Sequence, residues 1–446
     1  MRSVAAAGTA LFLLAAAIGA PAAFAQQENA KKFVPAESEK TLDASFRASD
    51  SRATASRAVA QFLAENTRPR FEFRADFSPE EFEKWKRDAK REAAALVFPP
   101  TLAALVPEIA AAAETRNFAE IPAETVPAPE LISEEKRDGY SVRKYECFPL
   151  RGAAVPFYVL VPDSASADAP EPAVLCIPGS GQPKEWLVGE GDFSRAERND
   201  FARRFARAGF VAIAVDNPCV GEAADPANAR AGIVDYDDTS RLLLELGWTY
   251  QGYAAFVDKC VLDFAKSLPC VRRERVSIAG FSLGTETLML LGAIDDEIFA
   301  FIYNDFLCTT RERALSMTVP ASDGCRYFPN SIRHLFPAFY ATFDFPDLVS
   351  ALAPRPILCN EGGLDRDFRK VRAAYALAGV PANALCVHQP KFADDSARNV
   401  ALETVPKGLT RAEFFRCANV DPANHYFKSE TAIPWLEAQI RAADAR

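Results

Sequence analysis

The sequence predicts an α/β protein: a mostly parallel central sheet with helices on both faces, preceded by an N-terminal helical appendage. Three observations predict it. Ala173-Val174-Leu175-Cys176-Ile177 and Val211 to Val215 are continuous apolar runs, the pattern of strands buried on both faces. From Tyr140 onward such runs alternate with helical patterns, which calls for parallel strands joined by covering helices. At one point Arg275-Val276-Ser277-Ile278-Ala279, a short β-branched strand, leads through Gly280-Phe281-Ser282-Leu283-Gly284 into the apolar helix Thr285 to Leu291. That is strand, tight turn, helix, with a serine at the apex. A length of 446 residues, 49% hydrophobic and 25% charged, supplies a full core for one large domain or two ordinary ones.

Taken in order, residues 1–25 read as a signal peptide. Arg2 supplies the positive start, Ala10 to Ile18 the apolar core, and Ala23-Phe24-Ala25 the small-x-small cleavage signal. The stretch is short for a membrane span, and the expected destination is the periplasm or the exterior. Residues 26–135 form the expected appendage and linker. Ser51 to Glu65 and Ser78 to Phe98 read as helices. The second opens on Ser78-Pro79-Glu80-Glu81, a capping serine, a proline at the first helical position and acid in the first turn. Phe77, Phe82, Trp85, Ala89 and Ala93 give it an apolar stripe. Pro99-Pro100 stops it, Leu102 to Ala113 reads as a third helix, and the proline-rich run from Phe118 to Glu130 reads as a connector.

The α/β domain is expected over 136–446. Tyr140 to Phe148 and Val155 to Val161 suit an antiparallel pair. Buried strands follow at Ala173 to Ile177, Val211 to Val215, the run before Ser282, Phe299 to Tyr303, Pro356 to Cys359 and Ala384 to Val387. Helices follow at Phe201 to Ala208, Gly252 to Leu268, around Val371 and Tyr375, and Ile433 to Ala442. Catalytic groups in such sheets gather at the carboxyl ends of the strands. A net charge of −9 argues against a nucleic-acid partner. The ten cysteines contain no C-x-x-C pair, so no metal site is expected. Cys260 with Cys270, and Cys308 with Cys325, are disulfide candidates by proximity.

Ser282 is the candidate nucleophile. Glycines two residues to either side let strand and helix approach, and the turn leaves the Leu283 N–H at a helix start, where a developing oxyanion can bind. A serine hydroxyl needs a base, and the base needs an orienting group. The chain has three histidines. His425, in a loop before the last helix, is the candidate base. His388 lies at a strand end and His334 between strands. Asp365, just past a strand and a glycine turn, is the candidate acid, and the order Ser282, Asp365, His425 suits this chemistry. Glu361 and Asp367 are neighbours that could substitute, and Asp305 is the main rival. The second oxyanion donor is expected in Pro178-Gly179-Ser180-Gly181-Gln182, at Ser180 with Gly181 next. Asp216 reads as structural, and Glu286 suits the dipole of the helix it opens.

With these motifs in place, the chain from about Tyr140 to its end resembles the α/β-hydrolase superfamily, and more narrowly bacterial hydrolases related to acetyl xylan esterases and dienelactone hydrolase. Ile177-Pro178-Gly179-Ser180-Gly181, Gly280 to Gly284, Asp347 to Pro356 leading to Gly363-Leu364-Asp365, and Asn424-His425-Tyr426-Phe427 carry the resemblance. Ala353-Pro354-Arg355-Pro356 is its most specific piece. Relatives often begin the oxyanion loop with His-Gly, where this chain has Pro178-Gly179, and Phe392 to Cys417 looks like an insertion. The resemblance implies a serine hydrolase with triad Ser282, Asp365 and His425 and no cofactor. It implies an exported carboxylesterase acting on acetylated carbohydrate. The alternatives are a peptidase of the prolyl oligopeptidase type, disfavoured by the lack of a preceding propeller repeat, and an inactive hydrolase fold that binds carbohydrate.

Overall fold

The apolar runs become the centre of one sheet. The computed structural model describes residues 55–446 except 107, 112–127, 151, 192–198, 306, 308, 312–333, 335 and 389–417. The signal peptide, Cys308 and Cys325, and the insertion at 392–417 lie outside the described residues, as does most of the proline-rich connector. The strands are β1 (Glu130–Arg137), β2 (Tyr140–Leu150), β3 (Ala153–Pro162), β4 (Glu171–Ile177), β5 (Val211–Val215), β6 (Val271–Phe281), β7 (Phe301–Asn304), β8 (Ile357–Asn360) and β9 (Ala384–Val387). Their order is β1-β2-β3-β5-β4-β6-β7-β8-β9. β1, β2, β3 and β5 pair antiparallel, and from β5 to β9 every pairing is parallel.

Register explains why the middle strands are apolar throughout. Leu175 pairs with Ile213 on one side and Ile278 on the other. Val174, Cys176, Ala212 and Ala214 point to one core, and Leu175, Ile177, Ile213 and Val215 to the other. All eight are fully buried. The helices Pro79–Val97, Tyr250–Ser267, Gly284–Ile294 and Asp365–Leu377 feed one core. Phe201–Arg207 and Ser429–Asp444 feed the other. Among the described residues, no helix is long and apolar enough to cross a membrane.

The sequence reading missed β1 because an exposed edge strand carries little hydrophobic signal. Its residues Glu130, Glu134, Glu135, Lys136 and Arg137 are charged, a composition that discourages further edge pairing. It also missed the helices Pro226–Ala231 and Tyr236–Glu245 after β5.

The helix Pro79–Val97 begins as its first residues dictate. Ser78 Oγ accepts from Glu81 N at 3.2 Å, and Glu81 Oε2 accepts from Ser78 N at 2.7 Å, a reciprocal cap. Its apolar stripe packs on the sheet core through Phe82, Trp85, Ala89, Ala93 and Val97. The chain before it is tied down by Asp347, whose Oδ1 accepts from Phe73 N at 2.9 Å and Lys370 Nζ at 2.8 Å. The Ala-Pro-Arg-Pro run also has a structural task. Arg355 donates to the carbonyls of Gly292 and Asp295, the unsatisfied end of the helix Gly284–Ile294. Cys260 and Cys270 are free thiols, so the disulfide expected between them is not formed.

Candidate active site

Ser282 follows β6 directly and has φ +50°, the left-handed region. A non-glycine residue rarely holds that conformation, and surrounding packing must enforce it. Here two glycines allow the packing. A Cβ on Gly280 would stand 2.7 Å from Gly284 O, and one on Gly284 would stand 2.5 Å from Ile177 O. Ser282 N donates to Asn304 O at 3.0 Å, which fastens the turn to the end of β7. Ser282 is partly exposed while Phe281 and Leu283 are buried, so the hydroxyl stands at the surface of a rigid bend. Leu283 precedes the helix Gly284–Ile294, in which Thr285 N and Glu286 N turn back to donate to Ser282 O at 3.0 Å and Leu283 O at 3.1 Å.

The loop after β4 faces this bend. A Cβ on Gly179 would come within 2.8 Å of the Phe281 ring, so only glycine lets loop and elbow touch. Asn217 Nδ2 donates to Pro178 O at 2.9 Å and Gly179 O at 3.3 Å. Gly181 N donates to Tyr236 Oη at 2.6 Å, so this amide is engaged by the protein itself. Ser180 is the exposed residue between the two glycines. Asp216 accepts from Lys184 N at 2.7 Å, Lys184 Nζ at 2.8 Å and Glu222 N at 3.2 Å, and so secures the far end of the loop. Burial pushes its pKa up to about 6, opposed by the Lys184 charge.

His425 reaches the same place from near the C-terminus. Its ring centroid lies 4.7 Å from that of Phe281, the residue beside Ser282. Phe427 anchors the loop: it is fully buried, stacks on Phe201 at 4.2 Å, and donates its N–H to Asn199 Oδ1 at 2.9 Å. Nδ1 of His425 lies 3.2 Å from Glu361 Oε1. A carboxylate only accepts, so Nδ1 carries the hydrogen. Nε2 lies 3.5 Å from Asp305 Oδ2. Among the described residues no hydrogen bond joins Ser282 Oγ to His425.

Two carboxylates therefore face His425, Glu361 at Nδ1 and Asp305 at Nε2, and the expected pairing with Asp365 is corrected. Asp365 Oδ1 lies 2.6 Å from His388 Nε2. The reason is topological. Glu361, Gly362 and Gly363 have φ of +120°, +73° and +94°, and this turn reverses the chain as soon as β8 ends. Glu361, the first residue past the strand, stays on the β7 side with His425. Asp365 opens the next helix and meets His388, which follows β9, the neighbour of β8 on the other side. Asp305 and Glu361 are equivalent in position, each the first residue beyond a strand and each at φ near +120°. Asp367 caps its own helix by accepting from Leu364 N at 3.1 Å. His334 Nδ1 lies 2.6 Å from Glu286 Oε1.

Two further residues complete the surroundings of Glu361. Asn304 Nδ2 donates to its Oε2 at 3.0 Å, and Lys428 Nζ lies 3.5 Å from the same oxygen. Neither is legible as a site residue in the sequence; the only signal is that Asn304 ends a strand beside the elbow. Asn419 links the acid turn to the base loop, accepting at its carbonyl from Gly362 N at 3.0 Å and donating from Nδ2 to Gly362 O at 3.2 Å. Burial lowers the pKa of His425, while the charge of Asp305 and the bond and charge of Glu361 raise it; the net shift is upward from 6.5.

The profile of the Abhydrolase family matches residues 33–438. A crystal structure of a Bacteroides fragilis protein named as a candidate acetyl xylan esterase is similar over 88% of this chain and 96% of that one, at 45% sequence identity and a TM-score of 0.76. A methylesterase matches at 16% identity over 88% of this chain and 81% of its own, with a TM-score of 0.47. A glucuronoyl esterase from Solibacter usitatus matches at 15% identity over 56% of this chain and 74% of its own, with a TM-score of 0.41. No curated protein matches.

Proposed function

We propose a function from one premise: the chain belongs to the Abhydrolase family. It is a serine hydrolase of carboxylic esters, and its substrate is an acetylated carbohydrate met outside the cytoplasm. One observation carries the mechanism. The Glu361-held imidazole of His425 packs 4.7 Å from the ring of Phe281, the residue that leads into the strained bend at Ser282.

The steps follow from the groups. Glu361 keeps the hydrogen on Nδ1 of His425 and leaves the Nε2 lone pair to accept a proton. The imidazole turns its Nε2 from Asp305 to the Ser282 hydroxyl and takes the proton as Oγ attacks the ester carbonyl. The developing oxyanion is held by the N–H groups of Leu283 and Ser180, and removing one such donor typically lowers turnover roughly 10²- to 10³-fold. His425 then protonates the leaving alcohol. Water, deprotonated by the same nitrogen, releases acetate and frees Ser282.

Acetyl as the acyl group rests on the 45% identity to the Bacteroides fragilis protein named as a candidate acetyl xylan esterase. Export rests on the pattern of residues 1–25. The test has two arms. Hydrolysis of p-nitrophenyl acetate, lost in Ser282→Ala, is expected; activity retained in that variant ends the serine mechanism. Acetate release from acetylated xylan or another acetylated glycan is expected; release from none of a panel of acetylated glycans, with p-nitrophenyl acetate still hydrolysed, ends the substrate assignment.

A further inference from the structure

We propose that Lys428 is a positioning residue of the reaction, clasping the His425 loop onto Glu361 and setting the charge that His425 meets. This rests on the serine-hydrolase reading above. Lys428 Nζ lies 2.6 Å from Asn424 O, 2.6 Å from Tyr426 O and 3.5 Å from Glu361 Oε2. Asn424 and Tyr426 are the two residues that flank His425. The three partners are all acceptors. An ammonium offers three N–H groups and a neutral amine two, so the geometry calls for the charged form, in a side chain only 7% exposed. Nζ also lies 3.8 Å from the centroid of the Tyr426 ring, a cation–π contact that suits an ammonium.

The backbone closes the arrangement. Lys428 N donates to Asn304 Oδ1 at 2.8 Å, and Asn304 Nδ2 donates to Glu361 Oε2 at 3.0 Å. One oxygen of Glu361 thus faces His425, and the other faces Asn304 and Lys428. A buried lysine without such a task is rare, because an unpaired ammonium away from water is strongly disfavoured.

Two consequences separate. The bonds to the carbonyls on either side of His425 hold the loop, and so the rate. The charge balances two carboxylates. His425 is faced by Asp305 from the end of β7, Glu361 from the end of β8 and Lys428 from its own loop, with the uncharged Phe281 ring on the elbow side. With the ammonium gone, two anions face one imidazole, which then holds its proton to higher pH.

The experiment uses the full chain with Lys428→Gln, Lys428→Arg and Ser282→Ala. kcat and KM for p-nitrophenyl acetate are measured across pH, and the His425 ring is titrated by NMR, assigned by difference from His425→Gln. Lys428→Gln is expected to lose about tenfold or more in kcat with little change in KM. Its acid limb and its His425 titration are expected to move up by about one pH unit. Lys428→Arg, which keeps the charge, is expected to hold both at wild-type pH. A Lys428→Gln protein with unchanged circular dichroism, limb and titration overturns the proposal. So does lost rate with both pH readouts unmoved, which is what mere packing would give. If Lys428→Gln does not fold, a His425 titration in Lys428→Arg away from the wild-type value overturns the proposal. Activity surviving in Ser282→Ala ends the serine reading separately, and the NMR titration still judges the charge coupling.

Discussion

Glu361 holds His425: its Oε1 lies 3.2 Å from Nδ1, while Asp365, four residues on, bonds His388 instead. The two carboxylates therefore part in function. Glu361→Gln keeps the shape but offers an N–H where an acceptor is needed, so the imidazole loses its tautomer preference. The expected loss in kcat is roughly 10⁴-fold. Asp365→Asn is expected to leave kcat in the same order of magnitude. Steady-state rates on p-nitrophenyl acetate for the two variants decide between the assignments, and the reverse ranking would return the acid to Asp365.

His425 lies between Glu361 and Asp305, and its net pKa is raised above 6.5. A base works deprotonated, so kcat/KM is expected to fall as pH drops, with the acid limb above the ordinary imidazole value. Asp305→Asn removes one anion and is expected to move the limb down by about one unit. Stability follows the same linkage. A histidine raised in the folded state contributes stabilisation that is full below its unfolded pKa and fades as pH rises through the folded one. Asp305→Asn is therefore expected to narrow the stability difference between mildly acid and alkaline pH, read from denaturant midpoints.

The elbow was legible in the sequence because its constraint is local. A serine at φ +50° needs small residues two positions away, and Gly280 and Gly284 stand there. The buried strands were legible because parallel strands covered on both faces must be apolar at every position. The partner of His425 was not. Choosing Glu361 over Asp365 depends on the sign of φ at three successive residues and on which strand lies on which side of β8. Lys428 was hidden for a different reason. A lysine in sequence reads as solvated, and only the convergence of Glu361 with the carbonyls of Asn424 and Tyr426 makes burial tolerable. β1 was hidden because its charged residues suit an edge.

Gly284→Ala tests the packing under the elbow. The new methyl would meet Ile177 O at 2.5 Å and Pro178 O at 2.9 Å, both backbone atoms that cannot swing away. Strand and helix must separate, at about 1 to 3 kcal/mol. The same residues lead into the loop carrying Ser180, so kcat is expected to fall even where the protein stays folded. Gly139→Ala is the comparison. Its φ is +85° but nothing lies within 4 Å, so only backbone strain of about 1 kcal/mol is expected, with normal kcat. Chemical denaturation and kcat for the two variants check the difference.

Asp258, in the helix Tyr250–Ser267, is 3% exposed. Burial alone pushes its pKa well above 3.8. A carboxyl raised in the folded state holds a proton that the unfolded chain releases. Stability therefore falls as pH rises from the unfolded pKa toward the folded one. No role in the site calls for this group, which faces the core under β2 near Cys147 and Cys260. Asp258→Asn removes the titration and is expected to flatten that part of the stability profile. Asp258→Leu also removes the desolvation cost of the buried carboxyl and is expected to add about 1 to 3 kcal/mol at neutral pH. Urea midpoints at acid and neutral pH measure both effects, and a Leu variant less stable than wild type at neutral pH would show that the carboxyl has a partner the buried surroundings require.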